Sequence, residues 1–277
     1  MEFEHVGLDH GEGGKWDLRD VSTLELKQSF QRWQEGLAEV GWNSLYWNNH
    51  DQPRVVSRFG DDQLHWRESA KALATVLHLQ RGTPFIYQGE ELGMTNANFE
   101  TIEEYRDIES LNHFAEAVGT FGKAPERVLR ALRASSRDNA RTPMQWSHGR
   151  HADFTTAQPW IAVNSNHVRI NAEDQRNDHD SVFAYYRALI ALRHSEPVVS
   201  HGTFRMELSA HPTVFAFSRR LGARHLLVLA NLSENWTEYE VPLGWANLEL
   251  VLANRVDAPL WSVGRLAAWE AQVFRSS

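Results

Sequence analysis

The 277 residues include no cysteine. A disulfide scaffold, a zinc–thiolate centre and a cysteine nucleophile are excluded, while a reducing cytoplasm is compatible with the composition and is the expected location. Basic clusters are missing too: 28 Lys and Arg stand against 36 Asp and Glu, a net charge of -8. Nucleic acid and anionic membrane surfaces both need clustered cations, so neither is an expected partner. No run of roughly 18 apolar residues is present to span a bilayer. Met1-Glu2-Phe3-Glu4-His5 has neither the basic nor the apolar stretch of a targeting leader. There is no internal repeat and no low-complexity linker.

What remains is the profile of an ordinary globular protein, 42% hydrophobic and 23% charged, with 11 Trp. Aromatics of this number fill a core first, although stacking on sugar rings uses the same side chains. Residues 1 to 195 alternate short apolar runs with amphipathic stretches, and 196 to 277 read as short strands between Gly, Pro and Asn turns. Two domains follow from that shift.

In the first, Glu2 to His5 reads as a strand. Ser22 with Glu25 makes a capping box, followed by a helical stripe of Leu26, Phe30, Trp33, Leu37 and Val40 closed by Gly41. A second strand, Trp42 to Trp47, ends in Asn48-Asn49-His50-Asp51, and a helix with Ala70, Leu73, Ala74 and Leu77 on one face comes next. A third strand, Thr83 to Tyr87, ends in Gln88-Gly89-Glu90-Glu91. Parallel α/β folds collect their sites on loops after strand carboxyl ends. Helical pieces near 99 to 117 and at 124 to 135 lie in a long connection of the kind that usually carries function. A last helix, Ser181 to His194, ends before Pro197. Six further segments, Thr203 to Leu208, Thr213 to Ser218, His225 to Leu229, Tyr239 to Val241, Leu248 to Leu252 and Ala267 to Phe274, predict an antiparallel β domain packed tightly on the first.

The sharpest local feature is Trp47-Asn48-Asn49-His50-Asp51-Gln52-Pro53-Arg54, with an imidazole and a carboxylate side by side after a predicted strand. Chemistry alone leaves two readings of Asp51, a turn or helix cap satisfying backbone N–H groups and a site carboxylate. Glu90 and Glu91, adjacent on an extended segment, would point to opposite sides and so read as structural or supporting groups. The 14 His include no HExxH spacing, and no oxygen-rich loop has calcium-binding spacing. No metal or cofactor is expected.

With its neighbours, this motif resembles the alpha-amylase superfamily, glycoside hydrolase family 13, in its oligo-1,6-glucosidase and alpha-glucosidase branch. The resemblance runs in order through Phe3-Glu4-His5, WNNHDQPRVVSRFGDD from Trp47, GTPFIYQGEELGMTN from Gly82, YRDIES from Tyr105, SRDNARTPMQW from Ser136 and SVFAYYRALIALR from Ser181. It is weakest in the C-terminal β domain. It implies the C-terminal part of a (β/α)8 TIM barrel over residues 1–195, about three of eight strands with a long loop insertion after the last. An antiparallel β-sandwich domain would occupy 196–277.

The same resemblance implies that Asp51 is the family's third catalytic carboxylate, which binds sugar hydroxyls and favours an oxocarbenium-like transition state. His50 would contact the same ring, and Arg137 the far end of the bound glucose; an isolated arginine otherwise reads as a surface ion pair with an acid such as Asp138. Glu109 would line the subsite of the departing sugar, while Tyr105, Arg106 and Asp107 equally read as holding the loop together. Asp153 departs from the pattern, since the relatives usually carry Gly there. The G-F-R-x-D motif and the following glutamate, which hold the nucleophile and the acid/base, are not in the chain. Three strands cannot close a barrel. The expectation is therefore part of a retaining alpha-glucosidase for short α-glucosides, inactive alone, its barrel completed by residues or a partner chain beyond this sequence. Alternatives are a non-catalytic amylase-like binding or assembly module, a sugar isomerase or transglycosylase, and a trehalose-6-phosphate hydrolase.

Overall fold

A computed structural model describes residues 4–245, 247–255 and 264–276. The hairpin β1 (His10–Gly11) and β2 (Gly14–Leu18) leads into helix α1 (Thr23–Gly36). Strand β3 (Ser44–Leu45) pairs in parallel with β4 (Thr83–Pro84), and α2 (Val55–Phe59) and α3 (Trp66–His78) lie between them. The long connection holds α4 (Ile108–Phe114), α5 (Pro125–Ser135), α6 (Asp138–Arg141) and α7 (Ala172–Asn177). Helices α8 (Val182–Ser195) and α9 (Pro197–His201) lead to β5 (Thr203–Glu207), β6 (Val214–Leu221), β7 (Arg224–Asn231), β8 (Thr237–Glu238), β9 (Leu248–Ala253), β10 (Arg265–Leu266) and β11 (Ala271–Ser276).

Helix α1 starts where local chemistry requires: Ser22 Oγ accepts from Glu25 N–H, and the Glu25 carboxylate accepts from Ser22 N–H at 2.9 Å. It ends at Gly36, short of the expected Gly41; Leu37 to Val40 form turns, the Arg81 guanidinium donates to the carbonyls of Leu37 at 3.1 Å and Gly41 at 3.2 Å, and Val40 is exposed. The expected strand at Glu2 to His5 is a second correction. Glu2 and Phe3 lie outside the described residues, and His5–Gly7 is a 3-10 turn whose buried imidazole packs among Phe30, Tyr46 and Trp47. Two parallel strands are thus seen among the described residues, where three were expected. The close β3–β4 approach needs Gly82, whose φ is +143° and where a Cβ would meet Asn43 O at 2.5 Å.

Strands β5-β6-β7-β11-β9 form one antiparallel sheet in that order. Its central strands are buried on both faces, and their side chains alternate accordingly. Phe215, Phe217, Leu226, Val228 and Val273 join α1, α3, α8 and α9 in one continuous core, so no solvent layer separates the two expected domains. Val214, Ala216, Leu227, Leu229 and Phe274 face Tyr239, Trp245 and Leu266 around the two-stranded β8–β10 ribbon. The second layer over the sheet is this ribbon; pairing falls at Thr237–Glu238 instead of the expected Tyr239 to Val241, where Tyr239 instead packs inward.

Helix α3 is the hub, with Leu73, Val76 and Leu77 fully buried, each worth roughly 1.5–3 kcal/mol. Its last carbonyls are capped from outside. Arg193 of α8 donates to His78 O at 2.8 Å and Gln80 O at 2.9 Å, and Arg219 of β6 donates to Leu79 O at 3.4 Å. At the departure noted in sequence, Asp153 has φ +52°, a region that favours Gly and admits Asp, and its carboxylate accepts a hydrogen bond from Ser147 Oγ.

Candidate active site

The segment that leaves β3 is pinned before it turns. Trp47 Nε1 donates to Leu73 O at 2.8 Å, and Asn48 Oδ1 accepts from Val55 N–H at 2.7 Å. Between these anchors Asp51 N–H donates to Asn49 Oδ1 at 2.8 Å, a local side-chain turn that presents the Asp51 carboxylate to solvent. The side chain of Asp51 is 41% exposed and that of His50 72%, with His50 Nε2 3.3 Å from Asp51 Oδ2.

Arginines reach the same carboxylate from α6. Arg137 at its N-cap and Arg141 at its last position are four apart and so share a face. Arg141 Nη2 lies 2.8 Å from Asp51 Oδ1, and Arg137 Nε lies 3.6 Å from the same oxygen. Arg137 Nε is also 3.1 Å from Glu109 Oε2, which Lys15 Nζ approaches to 2.7 Å from the β1–β2 hairpin. Arg141 Nη1 is 3.2 Å from Asp107 Oδ1, and Arg141 Nε donates to His50 O at 3.0 Å. The four residues expected from sequence, His50, Asp51, Glu109 and Arg137, therefore meet at one place.

Arg54 fastens α6 to this segment. Its guanidinium, with 0% exposure, donates to Gln88 O at 2.6 Å, Asn139 O at 3.2 Å and Ala140 O at 3.1 Å. Burial lowers its pKa to about 10, which still leaves it a cation at neutral pH. A pocket of about 380 Å³ opens beside Asp51, lined by Tyr46, Asn48, Asn49, His50, Phe85, Ile86 and Tyr87 at the carboxyl ends of β3 and β4. Half-exposed ion pairs of this kind are each worth about 1 kcal/mol or less. Arg54 therefore fixes the α6 backbone that carries Arg137 and Arg141 beside this segment.

Residues 1–202 match the family model for the alpha amylase catalytic domain. The chain belongs to the alpha-amylase family. It is 49% identical over 279 residues to an oligo-1,6-glucosidase of Bacillus cereus, covering 99% of this chain and 50% of that protein. Against the trehalose-6-phosphate hydrolase of Escherichia coli (strain K12) it is 44% identical, covering 93% of this chain and 47% of that one. A crystal structure of trehalose-6-phosphate hydrolase from Bacillus licheniformis superposes with a TM-score of 0.93 at 40% identity, over 99% of this chain and 50% of that one. An isomaltulose synthase from Klebsiella gives 0.91 at 37% identity, over 98% and 49%. The chain spans about half the length of the curated relatives it matches.

In this member of the alpha-amylase family, Glu90 and Glu91 lie on a 3-10 turn, Glu90–Leu92, not on the extended segment expected. The glycines flanking it, Gly89 and Gly93, have φ of +86° and +65° and bend the chain there. Glu91 accepts from Gly89 N–H at 2.8 Å. Burial pushes the Glu90 carboxyl up to about 7, against the hydrogen bonds it accepts from Asn48 and Tyr186. Tyr105 is buried against Phe99, Asp107 caps α4 by accepting from Ser110 N–H, and the Arg106 guanidinium donates to the carbonyls of Glu103, Tyr105 and Trp160. Asp138 is not the partner of Arg137; its Oδ2 accepts from the Arg106 and Asp107 N–H groups. Sequence reasoning missed Lys15, Arg141 and the role of Arg54. The four-residue spacing of Arg137 and Arg141 on a short helix was the available signal for Arg141. Among the described residues no group of three or more His, Asp or Glu is arranged to hold a metal ion.

Proposed function

We propose that this chain forms part of a retaining alpha-glucosidase acting on short α-linked glucosides, with Asp51 as the carboxylate that stabilises charge developing on the glucose ring. The observation that carries the reading is the meeting of Asp51 with Arg137 and Arg141 beside a pocket at the carboxyl ends of two parallel strands. In this reading His50 contacts the same ring, Arg137 its non-reducing end, and Glu109 the departing sugar. Residues 1–195 are part of a (β/α)8 barrel and 196–277 an accessory β-sandwich domain in a cytoplasmic protein.

Retaining hydrolysis needs a carboxylate to attack the anomeric carbon and a carboxylic acid to protonate the leaving oxygen, about 5–5.5 Å apart. Asp107 is engaged by capping α4 and by Arg141, and Glu109 is given in this reading to the departing sugar, so neither is assigned to those tasks. Both groups are assigned to residues beyond this chain, in the half of the barrel that completes it. A sugar isomerase is the second reading, favoured by the likeness to isomaltulose synthase; it shares the covalent intermediate and differs in excluding water. The test is hydrolysis of 4-nitrophenyl α-glucoside by the chain alone and with the N-terminal half of the Bacillus cereus relative supplied. Turnover only in the second case supports the proposal. Enzyme-like turnover by the chain alone, abolished by Asp51→Ala, would show that carboxylates within it had been recruited.

A further inference from the structure

Glu90 is 2% exposed, and its carboxyl oxygens take different partners. Oε2 accepts from Asn48 Nδ2 at 2.8 Å, and Oε1 accepts from the Tyr186 hydroxyl at 3.0 Å. Asn48, itself 3% exposed, accepts with its Oδ1 from Val55 N–H at 2.7 Å. Asn48 and Val55 are the two ends of the segment that carries His50 and Asp51, so their hydrogen bond acts as a clasp. An Asn48 amide turned the other way would set its NH2 against Val55 N–H, donor against donor. An acceptor at Glu90 Oε2 selects the orientation that closes the clasp.

We propose that Glu90 is a positioning residue for Asp51: it orients Asn48, and its Tyr186 side exchanges the proton, so that the clasp holds whether or not Glu90 is ionised. The proposal rests on the reading of Asp51 as the glucose-contacting carboxylate. The groups facing Glu90 explain why the proton goes to that side. Asn48 presents N–H groups and can receive no hydrogen bond there. Tyr186 presents a hydroxyl, which turns from donor to acceptor when Oε1 gains a proton. Around them stand Glu91 and Tyr87 on the same connection, Arg54 before α2, and His78 of α3, whose ring meets the Tyr186 ring edge-on at 5.2 Å. Burial brings the Glu90 carboxyl to about 7, so both forms are populated near neutrality. Glutamine reproduces the protonated form, its carbonyl toward Asn48 and its NH2 toward Tyr186.

The test is nuclear magnetic resonance on the 277-residue chain, following the Asp51 amide and the Arg141 Nε–H, which donates to His50 O. In Glu90→Gln both resonances should keep their wild-type positions, and in Glu90→Leu both should move. Asn48→Ala opens the clasp without removing the buried carboxylate and should move the same two resonances, which decides the matter if Glu90→Leu does not fold. Melting temperatures run alongside. A purely structural role would lower the melting temperature of Glu90→Leu and Asn48→Ala while leaving both resonances in place, and that result would overturn the proposal. Displaced resonances in Glu90→Gln would overturn it equally. Since the readout needs neither sugar nor turnover, failure of the alpha-glucosidase reading would not produce either result.

Discussion

His78→Phe should make the protein more resistant to acid. His78 sits in α3 with 0% exposure, and neither ring nitrogen has a hydrogen-bond partner among the described residues. Burial, helped by the nearby Arg193 cation, lowers its pKa from 6.5 to about 4. Between those values the unfolded chain binds a proton that the folded chain refuses, so stability is lost as pH falls from 6.5 towards 4. At pH 4.5 the linkage amounts to about 2.5 kcal/mol, and at pH 7 to about 0.2 kcal/mol. Phenylalanine keeps the edge-on contact with Tyr186 and removes the titration. Urea unfolding of both proteins at pH 7 and pH 4.5 reads the difference directly. The expected result is near-equal stability, within about 1 kcal/mol, at pH 7 and a gain of about 2 kcal/mol for the variant at pH 4.5. Glu90 titrates in the opposite sense, since its raised pKa makes stability fall as pH rises from 4.5 through 7, but it is common to both proteins and cancels. An equal stability difference at the two pH values would refute the claim that His78 is held neutral by burial.

Arg54→Met removes three donors from the carbonyls of Gln88, Asn139 and Ala140 and should cost about 3 kcal/mol in urea unfolding. It should also loosen α6, seen as a shift of the Arg141 Nε–H resonance; an unmoved resonance would mean that α6 is placed by other contacts. Ser22→Ala breaks the capping box and should lower stability by about 1 kcal/mol. A loss below about 0.2 kcal/mol would mean that tertiary packing alone fixes the start of α1.

Local chemistry made part of this fold legible. The box at Ser22 and Glu25 marks the start of α1, the Ala70, Leu73, Ala74 and Leu77 stripe marks α3, and the short apolar runs of β6 and β7 between turn residues mark a sheet. The end of α1 was not legible, because Leu37 and Val40 keep a helical spacing while Arg81, far along the chain, takes the carbonyls of Leu37 and Gly41 and Val40 is left exposed. The turn at His5 was hidden for the opposite reason: its imidazole is claimed by Phe30, Tyr46 and Trp47, far along the chain. At the candidate site, His50, Asp51, Arg137 and Glu109 were marked by resemblance, whereas Lys15 and Arg141 reach their partners across 94 and 90 residues of chain. Arg54 gave no sign of being buried, since its partners are backbone carbonyls, which any sequence provides.

The most direct test of the central claim is the turnover number of the enzyme rebuilt from this chain and a complementary barrel half, compared between wild type and Asp51→Asn. Asparagine keeps the shape of the side chain and removes its charge. If Asp51 acts on the developing positive charge of the glucose ring, kcat for 4-nitrophenyl α-glucoside should fall by about 10² to 10³. A rebuilt enzyme that works equally well with asparagine at this position would show that the carboxylate serves only to hold Arg137 and Arg141.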